Sequence, residues 1–198
     1  MLLAAGRSER WGAIDSKLDE IFLGRPLGLH VAVALEAMPF KQRIAVTGRA
    51  RVDYAAHGYD VVANPDPQSG MAASVRLGVD AAQARDAAAV LIALADMPRV
   101  TASHLYRMFD VTTNADTVVA SRDGRDPKPP AIFGRDRFDF LMNLHGDAGA
   151  RDLLAAGRHV VTSPAELIDI DTPEEFARLR ALVHSPAGTA RTAGEAGA

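Results

Sequence analysis

Small and basic residues are concentrated in the segment LAAGRSERWG at residues 3–12, and a lysine follows at position 17. Gly6 lets the backbone approach an anion, and the N–H groups of such a loop donate to phosphate oxygens. Arg7, Arg10 and Lys17 add cationic donors for the same oxygens. The segment therefore indicates a polyphosphate site, with a surface loop of solvated arginines as the alternative.

A single carboxylate, Asp96, follows directly after the apolar run Ala87–Leu94, within the sequence ADMP at residues 95–98. Ligands of open α/β sheets bind at the carboxyl ends of the strands. Mg²⁺ is held by one or two protein carboxylates together with phosphate oxygens and water. Asp96 is therefore the candidate Mg²⁺ ligand, and a turn-forming Asp before Pro98 is the alternative. Because the basic loop and Asp96 can converge on one triphosphate and its metal, the two segments together favour the functional interpretation.

The common nucleotide fingerprints GxxxxGK[ST] and GxGxxG are missing from the sequence, and the six histidines lack the HExxH spacing. With no cysteine in the sequence, a thiolate nucleophile, a disulfide and a Cys-ligated metal are excluded. These absences fit a reaction that needs no protein nucleophile. In such a reaction the residues align two substrates and stabilise charge.

The composition is that of an ordinary globular protein, with 198 residues, 48% hydrophobic and 24% charged, and a net charge of −3. No apolar run approaches the roughly 20 residues that cross a membrane. This net charge does not indicate a basic surface that would bind nucleic acid or an anionic membrane. Because the N-terminus lacks the basic and apolar regions of a signal peptide, we expect a cytoplasmic location.

Apolar runs of strand length alternate with segments of helical period, which is typical of a mostly parallel sheet with helices on both faces. Strands are predicted at residues 44–47, 59–63, 87–94, 117–120 and 131–133, with a strand end at 168–170. Helices are predicted at residues 26–38, 71–82, 105–109 and 147–154, and after a capping box formed by Thr172, Pro173 and Glu175. Met71 and Val183 are expected to face inward on their helices. The fold class is α/β, a three-layer Rossmann-like domain over residues 1–184.

The two ends of the chain depart from this regular pattern. Only Met1 to Leu3 precede Ala4, whereas strands usually run about 5 to 6 residues. The first strand is therefore expected to be clipped, through a start codon upstream or a shortened chain. Residues 185–198 hold almost no large apolar residue, which predicts a flexible tail.

Six ordered motifs resemble those of the molybdenum cofactor nucleotidyltransferase family, and within it the cytidylyltransferase branch, over roughly residues 1–183. The motifs are LAAGRSERWG with Lys17, GRPL at 24–27, GMAASVRLG at 70–78, ADMP at 95–98, HGDAGAR at 145–151 and DIDTPEEF at 169–176. The resemblance implies a three-layer nucleotidyltransferase domain.

The resemblance also implies a role for each matching residue of the nucleotide site. The nucleotide is held by Leu3, Ala4, Ala5 and Gly6. Arg7, Arg10 and Lys17 neutralise the triphosphate, and Asp96 binds Mg²⁺. Alanine at the third position of the first motif, Ala5 here, is typical of family members that use CTP rather than GTP.

Two further motifs each have a functional and a purely structural interpretation. Gly70 and Ser74 match positions that related cytidylyltransferases place against the pyrimidine, or they are the start and face of an ordinary helix. Asp147, in one motif with Arg151, matches a position for metal or pterin binding, or it caps a helix beside a solvated arginine.

The reaction implied by the resemblance transfers CMP from CTP to the phosphate of molybdopterin and releases pyrophosphate. Lys17, Arg10 and Asp96 are the catalytic residues, with Mg²⁺ as cofactor and a recipient molybdoenzyme or chaperone as a transient partner. The alternatives are a nucleotidyltransferase for a sugar phosphate or for the GTP-using branch, a nucleotide-binding oxidoreductase, and a cofactor chaperone without turnover.

Several positions depart from the family pattern. Ala95 stands where glycine is usual, and residues 19–20 are acidic. Residues 128–130, Lys-Pro-Pro, replace a Gly-His-Pro segment that faces the acceptor, which bears on the identity of the acceptor more than on the chemistry. Asp169 and Asp171 are expected to be structural, because Asp171 adjoins the capping box.

Overall fold

The computed structural model describes residues 1–12, 14–145 and 151–184 of the chain. The strands in these ranges are β1 (Leu2–Ala4), β2 (Ile21–Phe22), β3 (Arg25–Pro26), β4 (Ile44–Thr47), β5 (Asp60–Ala63), β6 (Ala89–Leu94), β7 (Val118–Arg122), β8 (Pro127–Gly134) and β9 (Arg158–Val161). The helices are α1 (Leu29–Glu36), α2 (Gly70–Gln83), α3 (Ala102–Asp110), α4 (Phe138–Met142), α5 (Arg151–Ala156) and α6 (Pro173–His184). Asp147 and the predicted tail at 185–198 lie outside the described residues.

Seven strands form one sheet in the order β5-β4-β1-β6-β8-β7-β9, and β2 and β3 form a separate hairpin. β1 runs parallel to both β4 and β6, with Leu3 level with Val46 and Leu94. β5 and β9 are also parallel to their neighbours, whereas β8 runs antiparallel to β6 and β7. The predicted mostly parallel sheet is confirmed. Because parallel strands end at the same edge, the segments that leave β1 and β6 meet there.

Helices cover both faces of this sheet, which confirms the three-layer α/β class. Alternate residues of β1 point to opposite faces, as in any strand. Leu2 packs in one apolar cluster with Leu105 of α3, while Leu3 packs in the other with Val79 of α2 and Phe138 of α4. The short first strand is thus buried on both sides and fixes the segment that follows it.

The predicted helix at 26–38 begins at Leu29 rather than at Pro26. Pro26 belongs to β3, where it pairs with Ile21 across the hairpin, so it cannot occupy the first helical turn. The inward orientation expected for two residues is also wrong, since Met71 is 45% exposed and Val183 is 37% exposed.

The second half of the sheet differs from the prediction in three places. β9 was not predicted, because its four residues give too short an apolar pattern. No strand forms at 168–170, where Ile170 is buried by packing with Phe22 and Phe176 instead. The strand predicted at 131–133 is longer than expected, because residues 128–130 also belong to β8.

The capping box at the start of α6 is confirmed. The Glu175 backbone N–H donates to Thr172 Oγ1 at 3.2 Å, and the Thr172 backbone N–H donates to Glu175 Oε2 at 2.9 Å. The Asp171 backbone N–H donates to the same carboxylate at 2.8 Å. The side chain of Glu175 therefore fixes the backbone at Asp171.

No helix among the described residues combines the length and the apolar character needed to cross a lipid bilayer.

We expect Gly134→Ala to lower the free energy of unfolding by about 1–3 kcal/mol, a typical cost of overpacking. An added Cβ would overlap the carbonyl oxygen of Ala115, which is backbone and cannot rotate away. The control is Gly6→Ala, where a Cβ meets no atom within 4 Å. Urea unfolding of both variants checks this, and equal midpoints would contradict it.

Candidate active site

A cleft of about 300 Å³ opens at the carboxyl edge of the sheet, between the segment after β1 and the turn after β6. Its lining residues are Leu3, Ala5, Gly6, Arg7, Ser8, Glu9, Arg10, Lys17, Leu18, Pro67, Gly70, Met71, Ser74, Leu94, Asp96 and Asp171. All of the predicted site residues that the structure describes line this cleft except Ala4. Ala4 is 2% exposed and packs in the core instead.

Lys17 lies at the centre of the cleft and is only 6% exposed. Its Nζ is 2.8 Å from Asp96 Oδ2 and 2.9 Å from Asp171 Oδ1. Its backbone N–H donates to Ser8 Oγ at 2.8 Å. The lysine therefore joins three segments that are far apart in the sequence.

The loop after β1 is held in a defined shape by Ser8 and Trp11. Ser8 has a φ of 51°, in the left-handed region that non-glycine residues rarely adopt, and its carbonyl accepts from the Trp11 backbone N–H at 2.9 Å. Trp11 Nε1 donates to the Asp171 carbonyl at 3.0 Å, and its ring packs on Phe176 at 5.5 Å. The loop is thereby fixed against the start of α6.

Burial and ion pairing shift the protonation of the three central groups. Burial raises the pKa of Asp96, and the nearby Lys17 offsets only part of this rise. Burial tends to lower the pKa of Lys17, but Asp96 and Asp171 outweigh it and raise the pKa. Burial likewise tends to raise the pKa of Asp171, but hydrogen bonds from Lys17 and Arg10 lower it overall. Lys17 is therefore a cation, and Asp171 an anion, at neutral pH.

Asp96 is the residue that fits a divalent cation. Its Oδ1 is buried and has no hydrogen-bond partner among the described residues, so a carboxylate oxygen is left free. No three His, Asp or Glu side chains come together as a metal site within residues 1–12, 14–145 and 151–184. A cation at Asp96 would therefore draw its remaining ligands from phosphate and water, which suits Mg²⁺.

The two arginines of the loop are paired with carboxylates and partly exposed. Arg7 Nη1 is 3.0 Å from Glu9 Oε1, and Arg10 Nη1 is 3.1 Å from Asp171 Oδ2. Asp171 was expected to be structural beside the capping box, and in addition its side chain forms ion pairs with Lys17 and Arg10 in the cleft. The sequence signal for this role was only its place in the DIDTP motif, next to the capping box.

The far wall of the cleft is the first turn of α2. Gly70 has a φ of 77°, which favours glycine at this position. Ser74 is buried, and its Oγ accepts from Asn64 Nδ2 at 3.0 Å. Asn64 was not predicted as a site residue, because only its turn-forming role after β5 is visible in the sequence.

Comparison with known sequences agrees with this arrangement. Residues 1–161 match the family described as MobA-like NTP transferase domain. The purine catabolism protein PucB of Bacillus subtilis is 32% identical over 121 residues, which is 58% of this chain and 58% of PucB. The bifunctional protein GlmU of Rhizorhabdus wittichii is 31% identical over 138 residues, which is 68% of this chain and 30% of GlmU. The chain thus matches less than two thirds of the length of either relative.

Solved structures share the fold over nearly the whole chain. Rv0371c of Mycobacterium tuberculosis is 33% identical with a TM-score of 0.73, covering 90% of this chain and 95% of that one. A crystal structure of Rv0371c in complex with manganese is also similar, at 30% identity. A nucleotidyl transferase of Methanothermobacter has a TM-score of 0.77 at 23% identity, a likeness of fold, over 90% of this chain and 94% of that one.

We expect Lys17→Met to lower the free energy of unfolding by about 3 kcal/mol at pH 8, because it leaves the Asp96 carboxylate buried without a counter-ion. Burial already raises the pKa of Asp96, so the folded variant takes up a proton at a pH where the unfolded chain does not. The loss in free energy of unfolding caused by Lys17→Met should therefore become smaller as the pH falls from 8 towards about 4.

Urea unfolding at both pH values checks this expectation. The control is Arg51→Met, which removes an exposed ion pair with Asp15 and should cost less than about 1 kcal/mol at either pH. A loss for Lys17→Met that is equal at both pH values would contradict the role of Asp96.

Proposed function

Because the chain belongs to the MobA-like NTP transferase family, we propose that it is a nucleotidyltransferase that moves CMP from CTP to the phosphate of a molybdopterin-type acceptor, with Mg²⁺ as cofactor. The observation that carries the proposal is the 2.8 Å ion pair between Lys17 and Asp96. It brings the basic loop after β1 and the carboxylate after β6 to one cleft, where a triphosphate and its metal could both be bound.

In the proposed reaction, a phosphate oxygen of the acceptor attacks the α-phosphorus of CTP. The bond between the α-phosphorus and the oxygen that bridges to the β-phosphate breaks, and pyrophosphate leaves with the electron pair. A phosphate dianion needs no deprotonation to attack, so no general base is required. Catalysis then consists of alignment and charge stabilisation.

Each cationic side chain that lines the described cleft is paired with a carboxylate: Arg7 with Glu9, Arg10 with Asp171, and Lys17 with Asp96 and Asp171. Phosphate oxygens would replace Glu9 as the partner of Arg7 and Asp171 as the partner of Arg10, while Lys17 keeps its ion pair with Asp96. Lys17 and Arg10 would then offset the charge that gathers on the leaving pyrophosphate.

Asp96 would hold the metal through its free Oδ1. A Mg²⁺ ion bound there would neutralise part of the phosphate charge during the transfer. The protonated Lys17, 2.8 Å from the other carboxylate oxygen, keeps Asp96 in place.

The preference for CTP is proposed from two residues of the cleft. Ala5 carries the resemblance to CTP-using enzymes, and its backbone lies close to Gly48, where a Cβ would be 3.1 Å from the Ala5 Cα. Ser74 accepts a hydrogen bond from Asn64, so its own hydroxyl proton is available to an acceptor atom of a base.

We expect Asp96→Asn to reduce Mg²⁺-dependent pyrophosphate release by on the order of 10³-fold, since several kcal/mol of charge stabilisation depend on this carboxylate. The fold should be retained, because asparagine has the same shape and removes a buried charge. Asp110→Asn, an exposed carboxylate on α3, is the control. Turnover at the wild-type rate in Asp96→Asn would refute the assignment.

We expect CTP with Mg²⁺ to raise the melting temperature more than GTP with Mg²⁺ does. Pyrophosphate release with each of the four nucleoside triphosphates, with and without molybdopterin, then tests base and acceptor together. Release only with GTP, or only with a sugar phosphate as acceptor, would replace the proposed substrates. Nucleotide binding without any release would favour a cofactor chaperone.

A further inference from the structure

Two buried side-chain polar atoms lack a hydrogen-bond partner in the part of the chain that the structure describes: Asp96 Oδ1 and Arg99 Nε. Folded proteins leave few such atoms unpaired, because burial without a hydrogen bond costs free energy. These two atoms belong to one turn, three residues apart, and one is an acceptor while the other is a donor. The proposed function uses Asp96 but gives no role to Arg99.

The backbone around Arg99 is firmly held, so the position of this residue is defined. Ile170 N–H donates to the Asp96 carbonyl at 3.0 Å, and Met97 N–H donates to the Leu94 carbonyl at 3.3 Å. Met97 and Val100 are 1% and 4% exposed, and Pro98 is buried as well. Arg99 and Asp96 are the residues of this turn that remain partly exposed.

The guanidinium of Arg99 forms no ion pair within residues 1–12, 14–145 and 151–184, whereas Lys128 and Arg107 both have partners. Lys128 Nζ is 3.1 Å from Asp123 Oδ2, and Arg107 donates to the Val161 carbonyl at 2.9 Å. Arginine stays protonated at any pH that proteins survive. A half-buried cation without a counter-ion is suited to binding an anion.

Arg99 follows β6 and is not part of the loop after β1. β6 lies between β1, which leads into that loop, and β8, while the chain runs from Asp96 past Arg99 into α3. Arg99 is absent from the lining of the cleft that holds Arg7, Arg10 and Lys17. An anion bound at Arg99 would therefore lie beside the groups held by Arg7, Arg10 and Lys17 rather than among them.

We propose that Arg99 binds the phosphate of the acceptor and positions it for attack, an inference that rests on the proposed function. A phosphate dianion is repelled by a triphosphate, so its approach requires a separate cation on the acceptor side. The planar guanidinium can donate two parallel hydrogen bonds to a phosphate. In this arrangement Asp96 holds the metal of the nucleotide, and Arg99, three residues later, binds the acceptor phosphate.

The kinetic test compares Arg99→Met and Arg99→Lys with the wild type, with CTP and molybdopterin as substrates. Loss of a charged hydrogen bond should raise the KM for molybdopterin by about 10- to 100-fold while the KM for CTP stays unchanged. Arg99→Lys keeps the charge but not the planar guanidinium, so its KM for molybdopterin should lie between those of the wild type and Arg99→Met. Arg178→Met, which removes an exposed arginine on α6, should match the wild type. Equal changes in both KM values, or none, would overturn the proposal.

Thermal unfolding separates binding from a structural role. A guanidinium that lacks its partner in the free protein should not stabilise the fold, so Arg99→Met should melt at or above the wild-type temperature. A clear fall in the melting temperature would mean that Arg99 has a structural role, and would overturn the proposal.

A binding test needs no turnover and so distinguishes failure of this inference from failure of the proposed function. Inorganic phosphate, added to the protein saturated with CTP and Ca²⁺, should shift the Nε–Hε resonance of Arg99 in a ¹⁵N NMR spectrum. Sodium chloride at equal ionic strength should not. A shift without any nucleotidyl transfer would keep the phosphate site and reject the reaction, whereas turnover with no phosphate shift would reject the role of Arg99.

Discussion

The ion pairs of Lys17 are the interaction on which the geometry of the cleft depends. One buried ammonium group lies between Asp96 and Asp171, at 2.8 and 2.9 Å, and these residues come from three separate parts of the chain. Its desolvation is compensated because two carboxylates share it. Since Ser8 fixes the lysine backbone and Glu175 fixes that of Asp171, the charged group has little freedom to move. The cleft is therefore preorganised before any ligand binds.

The sequence predicted the parts of this site that have local signals. Asp96 follows an apolar run of strand length, Lys17 follows a glycine-containing basic loop, and the capping box of Thr172 and Glu175 lies within four residues. The role of Asp171 could not be predicted in the same way, because its partner Lys17 is 154 residues away. The start of α1 was missed for a related reason, since the pairing of β2 with β3 overrides the local preference of Pro26.

The family relationship accounts for the fold and for the cleft between the loop after β1 and the turn after β6, whereas residues 128–130 depart from the expected family pattern. The matched residues 1–161 include the loop after β1 and the turn at Asp96. This chain has Lys128 in β8, in an ion pair with Asp123, where its relatives were expected to carry Gly-His-Pro. Arg99 lies at the same edge of the sheet.

The contacts of α6 have a consequence for how the protein loses activity. Asp171 stands directly before this helix, and its backbone is held by Glu175 from the first helical turn and by the indole of Trp11. Fraying of that turn would free the Asp171 carboxylate, and Lys17 would lose one of its two ion-pair partners, while the seven-stranded sheet stays intact. Inactivation on mild heating should therefore precede global melting, so that loss of activity would report the release of α6.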